Sequence, residues 1–350
     1  MENISNQYIE DAIQNLAESI GIKDYVDENE IISLVRQSKV KESIEEIAKY
    51  LKLPIKINLS YVPKGYRPEN TNTFHSSHLV KTDWRGRGSE GIVAQISIPS
   101  CLPMYGSSGL NNFQISVRVS ENCTDRPATF IAVIAHELSH IVLHSIGHKE
   151  KDNEIYTDIT AMMLGFSDIT RQGRRVIETS TSVTTETTVT TTYGYLSDEN
   201  FYFAFDKVEE TLRRHKQDNN KIISKIKELA IKLKDGRKEI ICFRKYLEYV
   251  DKHLNRKISQ EDGYKISTFH QPGYYEELEQ EIYKIERDLK KISSFLQSSN
   301  HYISSTIKKY EERINAADNN IDSKYDKLYS DVKILKKHVS LIYRLKVFIR

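Results

Sequence analysis

From residue 206 onward one rule governs the chain: apolar side chains return at alternating steps of four and three. They stand at Ile222, Ile226, Leu229, Leu233, Ile240, Phe243, Leu247, Val250 and Leu254, with Gly236 in the one seam position that is not apolar. Nearly five heptads of this kind specify a coiled-coil helix, which over 206–256 is about 75 Å long at 1.5 Å per residue. Gly263 and the Pro272-Gly273 pair interrupt it within 257–273, as turn formers do. The pattern resumes at Leu278, Ile282, Ile285, Leu289, Ile292 and Leu296. It continues from Ile303 to Ile342, with stutters at 303 and 321 that locally relax a supercoil. The simplest geometry is a long antiparallel coiled-coil hairpin whose second arm overhangs the first. The overhang and its basic end (Lys336, Lys337, Arg344, Lys346, Arg350) call for a protein partner, self-association or a fold-back.

Charge changes where the pattern does. Residues 206–350 hold 32 Lys and Arg against 23 Asp and Glu, a balance of +9; residues 1–205 hold 19 against 26, a balance of −7. Such a split marks two units, here 1–205 and 206–350. The cationic excess reads as solvated helix faces rather than a nucleic-acid surface. No stretch approaches 18 uncharged apolar residues, so no membrane span is expected. The opening Met-Glu-Asn-Ile-Ser-Asn lacks the basic and apolar regions of a secretion signal. Cys101, Cys123 and Cys242 are too few for a disulfide framework or a cysteine zinc site, and a cytoplasmic, reducing setting fits them.

The first 205 residues read as a compact α+β head. The spacing predicts one helix over 28–52, with Ile31, Ile32, Val35, Val40, Ile44, Ile47 and Leu51 on its apolar side. Residues 55–62 alternate as a half-buried strand does, and 92–98 and 113–119 are further strands, giving a small mixed sheet. Residues 179–192 are almost all Thr, Ser and Val, a composition suited to a solvated β-ribbon, an exposed loop or a flap over a cleft. Ser197 caps the helix that leads into the heptads.

Residues 136–140 read His-Glu-Leu-Ser-His within a helix predicted over 130–145. Ile131, Ile134, Leu138 and Ile141 supply a buried face, and His136 and His140, one turn apart, can aim ring nitrogens at a single zinc ion. Glu137 lies off that axis, where it can act as a general base. A catalytic zinc site needs a third ligand. The position six residues after His140, where a third histidine would make a metzincin pattern, is Ile146. Glu154, on a second helix buried through Ile159, Met162, Met163 and Leu164, is the expected third ligand. Asp158, one turn later, would accept the second ring N–H of a histidine; the reverse assignment of Glu154 and Asp158 is the alternative. Tyr156, Tyr193, Tyr195 and His144 are candidates for stabilising an oxyanion.

His-Glu-Leu-Ser-His followed by Glu-x-x-x-Asp on a second helix resembles the gluzincin branch of zinc metallopeptidases. More narrowly, 135–144 followed by Asn153-Glu-Ile-Tyr-Thr-Asp-Ile-Thr-Ala-Met-Met-Leu resembles ImmA/IrrE-type bacterial proteases. The resemblance is strongest over 130–165. It implies a zincin-like head, zinc held by His136, His140 and Glu154, and Glu137 as general base. In that family a small residue or Asn usually stands where this chain has Asp158, and the coiled coil is additional to the family pattern.

The expected protein is therefore a zinc endopeptidase holding one zinc ion per chain and hydrolysing a protein or peptide substrate. The alternative is a non-catalytic zincin-like scaffold or sensor acting through its coiled coil. The strand at 113–119 is expected at a sheet edge, free to pair with extended substrate. His144 and His148 read as surface or supporting histidines, and His75-Ser-Ser-His78 as a loop. Residues 86–91 fit G-x-G-x-x-G but precede a strand where a helix should open, which excludes a dinucleotide site. Arg171, Arg174 and Arg175 read as a solvated turn, and Cys101 as structural.

Overall fold

The computed structural model describes residues 4–66, 74–76, 80–82, 88–89, 93–181, 186–253 and 258–349. The chain is alpha-rich with small sheets and divides into two compact units. One is Met1–His215 with Asn300–Ser304; the other is Lys216–Ser299 with Ser305–Arg350.

The first unit opens with α1 (Asn6–Ser19), capped by Ser5, whose Oγ accepts from the Tyr8 N–H at 3.2 Å. Strand β1 (Ile22–Lys23) follows, then α2 (Glu28–Arg36) and α3 (Val40–Tyr50). The single helix expected over 28–52 is thus two. Ser38 adopts a left-handed φ of 58°, and the Lys39 N–H turns back to the Leu34 carbonyl at 3.0 Å, the geometry that ends a helix.

Next come β2 (Lys56–Val62), β3 (Phe74–Ser76), β4 (Val80–Thr82), β5 (Gly88–Ser89), β6 (Ala94–Ser97) and β7 (Gln114–Ser120). One sheet runs β2-β7-β6-β3. Strand β2 is parallel to β7 in the register Lys56↔Gln114 to Val62↔Ser120, and β6 lies antiparallel on the other side of β7. The strand expected at an edge is therefore an inner one, and period-two alternation, which reports faces and not edges, could not have told the difference. His78, Gly86 and Gly91 of the two loop motifs lie outside the described residues.

Helix α4 (Pro127–Ser145) begins with a proline, which suits the first helical position. By length and composition α4 is apolar enough to cross a membrane, yet every residue from Thr129 to Leu143 is buried in this unit. Helix α5 (Glu154–Ala161) runs through a π-turn (Met162–Phe166) into α6 (Ser167–Gly173). The Thr-rich segment forms an antiparallel hairpin of β8 (Arg175–Thr181) and β9 (Glu186–Thr192), part of a second sheet ordered β5-β4-β9-β8.

The long helix α7 (Asp198–Lys252) begins in the first unit and continues in the second. It is followed by α8 (Gln260–Phe269), α9 (Glu276–Ser298), β10 (His301–Tyr302), α10 (Ser304–His338) and α11 (Leu341–Ile349). Strand β10 pairs with β1 inside the first unit, Ile22 opposite Tyr302.

The second unit is a three-helix bundle rather than a hairpin with an overhanging arm. Ion pairs join each pair of helices. Arg237–Glu286 (2.6 Å) and Arg244–Glu279 (2.7 Å) join α7 to α9; Lys225–Glu311 (2.7 Å) and Lys232–Asp318 (2.6 Å) join α7 to α10; Arg313–Asp288 (3.5 Å) and Lys324–Glu281 join α9 to α10. Their seams meet in a core that includes Leu233, Ile240, Tyr246, Ile282, Ile321 and Leu328. The expected second arm breaks after Ser298. From Leu296 to Ile303 no aliphatic residue intervenes, and the chain leaves the helix, adds β10 and starts α10. At the seam position of Gly236 a Cβ would fall 2.1 Å from the Tyr325 ring, so the glycine makes room for a phenol whose hydroxyl reaches the Leu233 carbonyl at 3.5 Å.

Candidate metal centre

Helix α4 is buried all round, and among its aliphatic residues it carries His136, Glu137, Ser139 and His140 out of solvent. Ser139 settles its own hydroxyl by donating to the Ala135 carbonyl at 2.7 Å. The two histidines stand one turn apart, ring centroids 5.1 Å from each other and nearly perpendicular.

Glu154 opens α5. Asn153 caps that helix, its Oδ1 accepting from the Ile155 and Tyr156 N–H groups at 3.0 and 3.4 Å, which fixes where the first-turn carboxylate points. Glu154 Oε2 lies 3.1 Å from His136 Nε2 and 3.3 Å from His140 Nε2. One ligand atom from each of His136, His140 and Glu154 fits within 4.8 Å of the others.

The opposite edges of both rings are also engaged. His136 Nδ1 is 2.7 Å from Asp158 Oδ1, and His140 Nδ1 is 3.3 Å from Thr157 Oγ1. The Thr157 hydroxyl donates to the Asn153 carbonyl at 3.1 Å, so toward His140 it accepts. Both Nδ1 atoms therefore carry protons, and both Nε2 atoms are the ones left to bind a cation. Two imidazole nitrogens and one carboxylate oxygen, oriented by hydrogen bonds on their far sides, are a donor set that suits zinc with a position to spare.

Without a cation the cluster holds a proton instead. Burial alone would lower the pKa of His136, but the Asp158 and Glu154 carboxylates outweigh it and raise the imidazole well above its ordinary value. Burial would raise Glu154; its bonds to His136 and His140 prevail and hold the carboxyl far below the usual range.

Asp158 is itself clamped. Its Oδ2 accepts from the Tyr195 N–H at 2.7 Å and the Leu196 N–H at 3.3 Å. Gly194, at φ +90°, passes so close that a Cβ there would sit 3.1 Å from Asp158 Oδ2. Asp158 thus faces the Nδ1 side of His136, and Glu154 the Nε2 side.

The other expected site residues separate. Glu137 is buried beside His136, and its charge helps to raise that imidazole's pKa. The Tyr195 ring stacks on His136 at 5.6 Å, and Tyr193 lines a small cavity with His136, Asp158 and Gly194; burial raises the pKa of the Tyr193 phenol. Tyr156 packs against Tyr8 and His148, and His144 pairs with Asp152 at 3.0 Å.

Arg174 lines the same cavity and is not part of a solvated turn. It is buried, bonds the Leu196 carbonyl and Asp198, and lies over the Phe201 ring. Thr157 and the Gly194–Leu196 backbone were not among the sequence candidates. Thr157 shares the helix face of Glu154 and Asp158 at i+3, a signal present but generic, whereas nothing local marks 194–196.

No protein-family model, curated protein or solved structure matches this chain.

Proposed function

We propose that the chain is a zinc-dependent endopeptidase, its first unit a zincin-like head similar to ImmA/IrrE-type proteases. Its helical unit recruits a protein substrate or partner, or self-associates. The cytoplasm is the proposed compartment, where thiols such as Cys101, Cys123 and Cys242 stay reduced. The observation that carries the reading is the convergence of His136 Nε2 and His140 Nε2 on Glu154 while Asp158 and Thr157 hold their Nδ1 atoms.

His136, His140 and Glu154 would hold one zinc ion per chain. When bound, zinc supplies Lewis acidity, polarising a peptide carbonyl and acidifying water from a pKa of 15.7 to about 7. Glu137 takes the water's proton on a carboxylate oxygen and returns it to the departing amine nitrogen. Asp158 keeps the His136 proton at Nδ1 and so keeps Nε2 a ligand. Tyr195, whose ring stacks on His136, offers a hydroxyl to the developing oxyanion.

Zinc content measured on purified protein, beside His136→Ala, Glu154→Ala and Glu137→Gln, tests this. About one zinc per chain is expected in wild type, lost in the first two variants and kept in the third. Cleavage of a peptide library should vanish in Glu137→Gln. Absence of zinc under non-chelating conditions, or equal cleavage by Glu137→Gln and wild type, overturns the reading. Zinc without turnover in wild type would identify a non-catalytic scaffold or sensor.

A further inference from the structure

Helix α11, in the second unit, turns an aliphatic face to solvent. Ser340 starts it, its Oγ accepting from the Tyr343 N–H at 3.4 Å. Tyr343 and Val347, one turn apart, face the bundle: the Tyr343 ring lies 4.5 Å from that of Tyr249, and Val347 joins the core. At 100° per residue, Leu341, Ile342 and Leu345 then share the opposite arc. They are 70, 70 and 57 % exposed. Three adjacent aliphatic side chains on the outward face reverse the ordinary polarity of a bundle helix, and such patches mark interaction sites.

The edges of the arc are cationic. Arg344 stands on one side and Lys346 on the other, and no acidic residue follows Asp331 in the sequence. Nearer the bundle, Lys336 and Lys337 are matched by Glu239 and Asp262 at 4.0 and 3.4 Å. A second copy of the same face would bring Arg344 and Lys346 against their own kind, which disfavours self-association here. An aliphatic stripe edged by cations is complementary to one surface above others: an anionic bilayer, where the aliphatics enter the acyl boundary and the cations meet headgroup phosphates. Tyr343 and Val347 stay packed on the bundle, so α11 meets such a surface side-on, with only its outward arc entering it.

We propose that α11 is a peripheral membrane-binding helix that lies in the interface of anionic phospholipid bilayers through Leu341, Ile342 and Leu345. Co-sedimentation of the full chain with vesicles tests it, using phosphatidylcholine alone and phosphatidylcholine mixed with phosphatidylserine. Binding is expected only to the mixed vesicles and should weaken with added salt. Leu345→Glu should reduce partitioning at least about tenfold, and Lys346→Ala about fivefold. Leu345 is exposed, so an unchanged circular-dichroism spectrum and melting temperature will show that its variant folds. No binding to mixed vesicles at low salt, or equal binding by folded Leu345→Glu, overturns the proposal. So does a wild-type dimer that Leu345→Glu dissolves in the absence of any vesicle binding.

Discussion

The two units bury different things. The helical unit buries a repeated aliphatic seam, with one carboxylate, Asp331, held by the Tyr274 and Tyr275 hydroxyls, and leaves most of its ion pairs toward the rim: the Lys225 and Glu311 side chains are 42 and 46 % exposed. The head buries its charge. His136 and Asp158 face each other at 7 and 9 % side-chain exposure, with Glu137 and His140 beside them on a helix otherwise made of core residues. A seam of many similar contacts is redundant, and no one rim pair decides whether it forms. A buried polar cluster has specific partners for each group, so every member depends on another. That asymmetry sets the proposed metal centre apart from the bundle.

The sharpest way to break the contrast is Asp158→Ala. It removes the acceptor for His136 Nδ1 and for the Tyr195 and Leu196 amides together. Breaking such a buried pair costs about 3–5 kcal/mol of stability in the metal-free protein, and zinc affinity should fall about 10–100-fold. Urea unfolding and chelator competition measure the two effects. A loss under about 1 kcal/mol, the value of a surface pair, would mean that the head is no more specific than the bundle.

In the bundle a glycine gives the most specific test. Gly236→Ala places a methyl inside the Tyr325 ring volume, and overpacking of this kind costs about 1–3 kcal/mol. It is offset by up to about 1 kcal/mol of helix propensity. Adding Tyr325→Leu should recover most of the loss. A thermal melt of the single and double variants checks both statements.

These residues also show what the sequence could and could not reveal. The His136–His140 pair and the Glu154–Asp158 step were legible because polar residues one helical turn apart are a local pattern. The clamp on Asp158 was not, since its amides lie 37 and 38 positions along the chain. The break after Ser298 was hidden for another reason. Leu296 to Ile303 is one full heptad, so the apolar phase is the same whether the helix continues or stops. The break at Ser38 was visible in principle, because Val35 to Val40 is a five-residue step that no helix face accommodates well.

The pH dependence of metal binding gives a smaller, graded effect. In the metal-free protein the pKa of His136 is raised because the Asp158 and Glu154 carboxylates outweigh its burial, so near neutral pH the imidazole is protonated. Zinc must displace that proton, and affinity should rise about tenfold per pH unit until the pH passes the raised pKa. Glu154 stays ionised throughout, its pKa held down by the two imidazoles against its burial. Stability runs the other way. The metal-free pair contributes fully below the unfolded histidine pKa of about 6.5 and loses its contribution as pH climbs through the raised folded value. Isothermal titration over a pH series would show both the sign and the plateau; a flat profile would contradict the proton assignment at Nε2.

The smallest expected effect tests the other half of the comparison. Lys225 reaches across from α7 to Glu311 on α10 at 2.7 Å, a distance that looks as favourable as the one between His136 and Asp158. Water competes for both of its charges, however, and holding two long side chains in register costs rotamer entropy. Lys225→Ala should therefore change stability by no more than about 0–1 kcal/mol, and by less in high salt, where screening removes what attraction remains. Lys232, which contacts both Asp318 and Asp322, is the stricter case, because it is less exposed than Lys225 and serves two carboxylates. A double-mutant cycle pairing Lys232→Ala with Asp318→Ala isolates its coupling energy. If that coupling matched the cost of Asp158→Ala, distance and not burial would govern the value of an ion pair here, and the distinction between the two units would fail.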